Sequence, residues 1–276
     1  PEEGPVTTAA RPRRPVLGRP PVHLVLPALL AVGLLALPPA TLLARAPVAD
    51  LSARLTDQVV LDALWLSLWT ATAATGASLV LGLPLAWVLA RLDFPGRSLV
   101  RVLVTVPLVL PPVVAGVALL TAFGRTGVVG APLRELGIGI PFTTTAVVVA
   151  HTFVALPFLV VSVEGALRAT SREYDEVAAV LGASRGRAFR RVTVPMALPG
   201  IAAGLVLSWA RSLGEFGATI TFAGNFPGVT QTMPLAVYEA LQSDPEAALT
   251  LSLLMLLVSV GVLALLRERW FGRVLP

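Results

Sequence analysis

A chain of 276 residues that is 55% hydrophobic and 13% charged has more apolar side chain than one soluble core can bury, and reads as a polytopic membrane protein. All 21 basic residues are arginine, which excludes a phosphate-loop lysine and Schiff-base chemistry; with no cysteine and two histidines, a disulfide framework, a thiolate metal centre and a His-rich zinc site are excluded too. The pI of about 11.1 would suit a nucleic-acid binder, but these arginines flank apolar spans, which makes them topology signals rather than a nucleic-acid surface.

Residues 1–21 are rich in Pro and Arg, cannot build a core and are predicted to be a disordered tail. An apolar span follows over 23–43. Its basic approach also suits a signal peptide, but its length favours a retained anchor. With the polar loop after it, this anchor makes a unit of 22–60, ahead of a five-span core over 61–267 and a short C-terminus over 268–276. The second span, 64–89, carries Ala74, Ser78 and Gly82 at four-residue spacing, a small-residue stripe that lets helices approach closely. The third, 99–123, holds Pro107, Pro111 and Pro112. Proline frees backbone carbonyls, which lipid does not tolerate, so a broken span here belongs beside a pathway or inside protein. A Gly-rich loop is expected over 124–141. The fourth span, 143–163, contains His151, which reads first as a satisfied structural group.

The next segment, Glu173 to Pro195, is the longest strongly charged run. Thr170-Ser171-Arg172-Glu173 fits a capping box in which Thr170 caps and Glu173 reaches back. Tyr174, Val177, Ala178 and Leu181 fall on one helical face, and Gly182 suits a left-handed stop. A short amphipathic helix between two spans is a surface made to enter a partner's groove. The fifth span, 198–222, carries the pair Gly200 and Gly204, another close-packing signal. A loop over 223–247 and a sixth span over 248–266 complete the chain.

Arginine distribution gives sidedness. With both termini cytoplasmic, the inner segments carry sixteen arginines and the outer loops four (Arg45, Arg54, Arg125, Arg134), a strong positive-inside bias. Arg211 lies inside the fifth span, about 18 Å along a helix from Pro199. A charge at that depth costs about 2.5–3.5 kcal/mol on insertion scales. Glu215 is one turn on and can pair with it. Two readings stay open: a self-neutralising pair that stitches helices together, and a pathway gate built with Ser208, Pro111 and Pro112.

The spacing Glu176-Val177-Ala178, Gly182, Val192-Thr193-Val194-Pro195 resembles the coupling motif of ABC importer permeases: Glu-Ala-Ala, three residues, Gly, nine residues, Ile-x-Leu-Pro. Val177 for Ala and valines for Ile and Leu are the departures. The run from Arg211 to Tyr238, above all Gly-Ala-Thr-Ile-Thr-Phe at 217–222 and Gln-Thr-Met-Pro at 231–234, is similar to the molybdate permease subunits of oxyanion ABC importers, as is Pro-Leu-Val-Leu-Pro-Pro at 107–112. The likeness covers about residues 60–265. It implies an all-α, type I permease fold in the cytoplasmic membrane, with six transmembrane helices and a cytoplasmic coupling helix between spans four and five. It also implies a homodimer, two cytoplasmic ATPase subunits that hold ATP and Mg, and an extracytoplasmic molybdate-binding protein. The chain itself would bind no cofactor or metal and catalyse nothing. Coupling would fall to Glu173, Tyr174, Glu176, Val177, Ala178, Leu181, Gly182 and Pro195. A sulfate or thiosulfate permease uses similar chemistry; a secondary anion transporter or channel would lack the coupling motif.

Overall fold

In lipid every backbone N–H and C=O must bond within its own segment or a closed sheet, so a chain of separate apolar spans is expected to be helical. The computed structural model, which describes residues 22–47, 56–171 and 173–271, has only helices as regular elements among them. The chain divides into two compact units, Pro1–Arg45 and Ala46–Pro276. In the first, α1 (Val22–Arg45) is an apolar helix with three prolines, and the Thr41 hydroxyl donates to the Pro38 carbonyl at 2.9 Å. The expected tail over 1–21 lies outside the described residues.

The second unit holds α2 (Gln58–Arg91), α3 (Arg97–Val109), α4 (Pro112–Phe123), α5 (Gly130–Glu135), α6 (Thr144–Ala169), α7 (Glu173–Val180), α8 (Arg185–Leu213), α9 (Gly217–Phe222), α10 (Met233–Ser243) and α11 (Pro245–Phe271). Among the described residues five helices, α1, α2, α6, α8 and α11, are long and apolar enough to cross a membrane, and the bent pair α3–α4 is either a sixth, broken span or a re-entrant loop. Each of the six expected spans corresponds to one of these five helices or to the bent pair, with three corrections. The third is not kinked but folded over, by 119° between α3 and α4, because Leu110 and Pro111 are both extended and Pro112 starts a new helix. The fifth begins at Arg185 and stops at Leu213, instead of running from 198 to 222. The sixth lies in a helix, Pro245–Phe271, that extends past the expected bounds at both ends. The two predicted loops also contain helices. Met233 and Ala236 of α10 are buried against Val60, Ala63, Leu251 and Leu254, so packing rather than intrinsic propensity orders that segment.

The long helix α6 is the axis of this unit. Its start is capped by the Thr143 hydroxyl, which accepts from the Ala146 N–H at 3.3 Å. Val160, Val163 and Leu167 on α6 are buried with Leu89 of α2 and Ile201 of α8 in one apolar cluster. The small residues let the flanking helices close on it, as their spacing predicts. A Cβ on Gly82 would come within 2.7 Å of the Leu159 side chain, and one on Gly200 within 2.2 Å of the Ala166 Cβ. A second cluster joins α4, α6 and α9 through Ala115, Leu119, Val147, Ala150, Val154, Ala218 and Phe222.

Arginines at one end do more than set topology. Arg97 and Arg101 donate to the Leu89 carbonyl at 2.9 and 3.0 Å, and Arg91 to the Thr170 carbonyl at 3.2 Å. These are helix-end carbonyls with no intrahelical partner, and a cation there also suits the helix dipole. Glu164, largely buried, ties Arg101 and Arg168 together at 2.9 and 3.0 Å.

Candidate functional site

Two regions carry the residues singled out in the sequence, and they sit at opposite ends of α8. The first is α7. Its expected cap is shifted by one residue: the Ser171 hydroxyl accepts from the Glu173 N–H at 3.2 Å, whereas the Thr170 hydroxyl donates back to the Ala166 carbonyl at 3.1 Å. Thr170 is still the C-cap of α6, which leaves it unable to start the next helix. The stop is as expected. Gly182 has φ +81°, the Gly182 N–H donates to Ala179 and the Ala183 N–H to Ala178, the paired bonds of a Schellman motif. Tyr174, Val177 and Leu181 are 53%, 57% and 81% exposed, and Glu173 and Glu176 are exposed beside them. Apolar side chains this open, held on a capped helix, form a surface suited to a partner.

Helix α7 rests on the first turns of α8, where Phe189–Thr193 is a π turn. Pro195 follows it. Proline has no N–H for the Arg191 carbonyl and its ring crowds that oxygen; the widened turn accommodates this. Trp87 of α2 meets Phe189 edge-on at 6.0 Å and fixes the turn in place.

At the other end, α8 stops one residue before Gly214, and the chain turns through Glu215 and Phe216 into α9. Arg211 is therefore in a last helical turn rather than mid-helix. The broken third span lies against this break. A Cβ on Gly217 would lie 2.6 Å from the Pro112 Cβ, and one on Gly116 2.6 Å from the Thr221 Cβ, so glycine is what lets the two breaks cross in contact. The structure thus brings Pro112 and, through Gly217, the Glu215 turn together. Arg211 Nη1 and Glu215 Oε2 are 2.5 Å apart; the arginine side chain is 29% exposed and the carboxylate 1%. The other carboxylate oxygen accepts from the Ala218 N–H at 2.8 Å. One buried group thereby neutralises a cation and caps α9. Ser208 is buried one turn earlier and donates to the Ala155 carbonyl of α6 at 3.3 Å.

Three polar residues around the break escaped sequence reasoning or were misread. His151 of α6 is 1% exposed, and neither ring nitrogen has a hydrogen-bond partner; it is not the satisfied group expected. The hydroxyls of Ser212 and Thr219 are likewise buried and without partners. Ser212 lies within Arg211-Ser212-Leu213-Gly214-Glu215 and Thr219 four residues after it, and that proximity was the available signal.

Helices long and apolar enough to span a membrane, two of them broken where they touch, with an exposed apolar-faced helix between spans, fit a multi-pass membrane protein. The model of the family described as "Binding-protein-dependent transport system inner membrane component" matches residues 79–273. The chain belongs to that family. It is 48% identical over 242 residues to the molybdenum transport system permease protein ModB of Mycobacterium tuberculosis, covering 88% of this chain and 92% of that one. It is 38% identical over 209 residues to the sulfate transport system permease protein CysT of Salmonella typhimurium, covering 75% and 76%. A crystal structure of a bacterial ABC transporter that imports alginate has the same fold, with a TM-score of 0.69 at 16% identity over 91% of this chain and 94% of that one.

Proposed function

We propose that this chain is the permease subunit of an ATP-driven importer that moves molybdate, and tungstate with it, across the cytoplasmic membrane by alternating access. The observation that carries the substrate is the closer likeness to a molybdenum permease than to a sulfate permease. In this reading two copies form the channel, and two cytoplasmic ATPase subunits bind ATP and Mg. An extracytoplasmic binding protein delivers the anion. The chain is a transport subunit with no catalytic site of its own. The positive-inside bias supports cytoplasmic termini and a cytoplasmic α7.

Coupling runs through Glu173, Tyr174, Glu176, Val177, Ala178 and Leu181, with Gly182 and Pro195 shaping the helix and its seat. The open apolar face of α7 supports this. Arg211, Glu215, Ser208, Pro111 and Pro112 form the gate. A dianion needs a cation in a low-dielectric passage, and Arg211 is the cation at the break. Glu215 holds it while the gate is shut and releases it when the helices move, a two-state exchange of partners.

The test is uptake into proteoliposomes containing this chain, its ATPase and its binding protein. Molybdate uptake that needs ATP and loaded binding protein, and that excess tungstate but not excess sulfate suppresses, is the expected result. Sulfate uptake without molybdate uptake would overturn the substrate. Uptake without the ATPase would overturn the mechanism in favour of a secondary transporter.

A further inference from the structure

Deep burial of a polar group without a partner is costly and rare. Here three such residues lie on the helices that meet at one break. Ser212 is 0% exposed and precedes the break; Thr219 is 0% exposed and follows it; His151 is 1% exposed. His151 lies on the α6 stretch where Ala150 and Val154 pack on Ala218 and Phe222 of α9. Nearby polar groups are accounted for differently. Ser208 has the Ala155 carbonyl, Thr221 the Gly217 carbonyl, and Glu215 both Arg211 and the Ala218 N–H. Lack of a partner is thus not general to this region, although buried polar atoms of Ser78, Asn225, Gln231 and Thr232 have none either.

The three share one chemical property. Each can donate a hydrogen bond: two hydroxyls and an imidazole N–H. A tetrahedral oxyanion accepts and does not donate. Glu215 also only accepts, and it is already engaged.

We propose that His151, Ser212 and Thr219 are substrate-positioning donors that Arg211 joins when the break opens, together making a transient site for a tetrahedral dianion. This rests on the anion-importer reading above. In the shut arrangement the donors stay unpaired while Arg211 is held by Glu215. An anion at the break supplies acceptors to all of them at once, so the ligand favours the open arrangement by its differential contacts. Phe222, Ala218 and Val154 supply the apolar wall that keeps water from competing.

The inference separates from a structural role by the sign of the stability change. Removing an unsatisfied buried donor with a similar apolar shape is neutral or stabilising, whereas removing a satisfied one destabilises. The experiment uses the full complex with Thr219→Val, Ser212→Ala, His151→Leu and His151→Gln. It measures thermal unfolding of the purified assembly and molybdate uptake in proteoliposomes. The expected result is unchanged or higher thermal stability for Thr219→Val and Ser212→Ala, with uptake lowered roughly tenfold or more, the loss of a hydrogen bond to a charged group. His151→Gln, which keeps a donor, should retain more uptake than His151→Leu. Wild-type uptake in both Thr219→Val and Ser212→Ala would overturn the proposal. So would a fall in stability parallel to the fall in uptake, which marks ordinary packing. Should His151→Leu fail to assemble, the two smaller substitutions still decide. If the wild-type complex takes up no molybdate, the importer reading has failed instead, an outcome distinct from either.

Discussion

The Arg211–Glu215 pair gives the sharpest test of the gate, because its two halves are unequally buried. In Arg211→Met the Glu215 carboxylate, 1% exposed, loses its cation and keeps only the Ala218 N–H. Stranding a buried charge costs about 3–5 kcal/mol, a large part of the ~5–15 kcal/mol that holds a typical fold. In Glu215→Gln the arginine is left, but its side chain is 29% exposed and can move its head toward solvent. The glutamine oxygen can still accept from Ala218, so the loss should be about 1–2 kcal/mol. Arg211→Met with Glu215→Gln removes both charges and should recover most of the stability. The assay is thermal unfolding of the purified complex beside molybdate uptake. A gate predicts a double variant that is stable yet transports poorly, since no cation meets the dianion. A double variant that transports at the wild-type rate would reduce the pair to scaffolding. An Arg211→Met protein as stable as wild type would refute the burial argument itself.

Three further outcomes are expected. Gly182→Val puts a β-branched residue at φ +81°, which is strongly disfavoured; the protein should insert normally, but ATPase stimulation by loaded binding protein should be lost, and wild-type stimulation would refute the coupling role. Gly200→Ala drives a Cβ to 2.2 Å from Ala166 and should cost about 1–3 kcal/mol by overpacking, whereas Gly76→Ala, with nothing within 4 Å, should be neutral or stabilising; equal melting temperatures would contradict the packing of α8 on α6. Ser243→Cys should react with an impermeant thiol reagent added to intact cells and Ser184→Cys should not, both sites being exposed; the reverse pattern would invert the topology.

Much of this was legible because it depends on local chemistry. The left-handed Gly182, the stripe of Ala74, Ser78 and Gly82, and the Gly200–Gly204 pair each answer to a short-range rule, and each is found in its expected role. The hidden parts depend on contacts distant in sequence. Leu213-Gly214-Glu215-Phe216 lies between apolar runs, so hydropathy carries the span through it; the break is set by Pro112 and Gly217 meeting across two helices. The partners of Glu164 lie on two helices, and no sequence window holds both. The most consequential misreading was to separate the arginines of 185–191 from the fifth span. They belong to it. Helix α8 is continuous for 29 residues, roughly 43 Å at 1.5 Å per residue. One end seats α7, with its open apolar face; the other carries Arg211 at the break. A continuous helix, even one widened at Phe189–Thr193 and interrupted in its bonding at Pro195 and Pro199, transmits displacement better than a loop. The proposed coupling surface and the proposed gate are thus two ends of one continuous element, so a movement imposed on α7 reaches Gly214 with no flexible loop between.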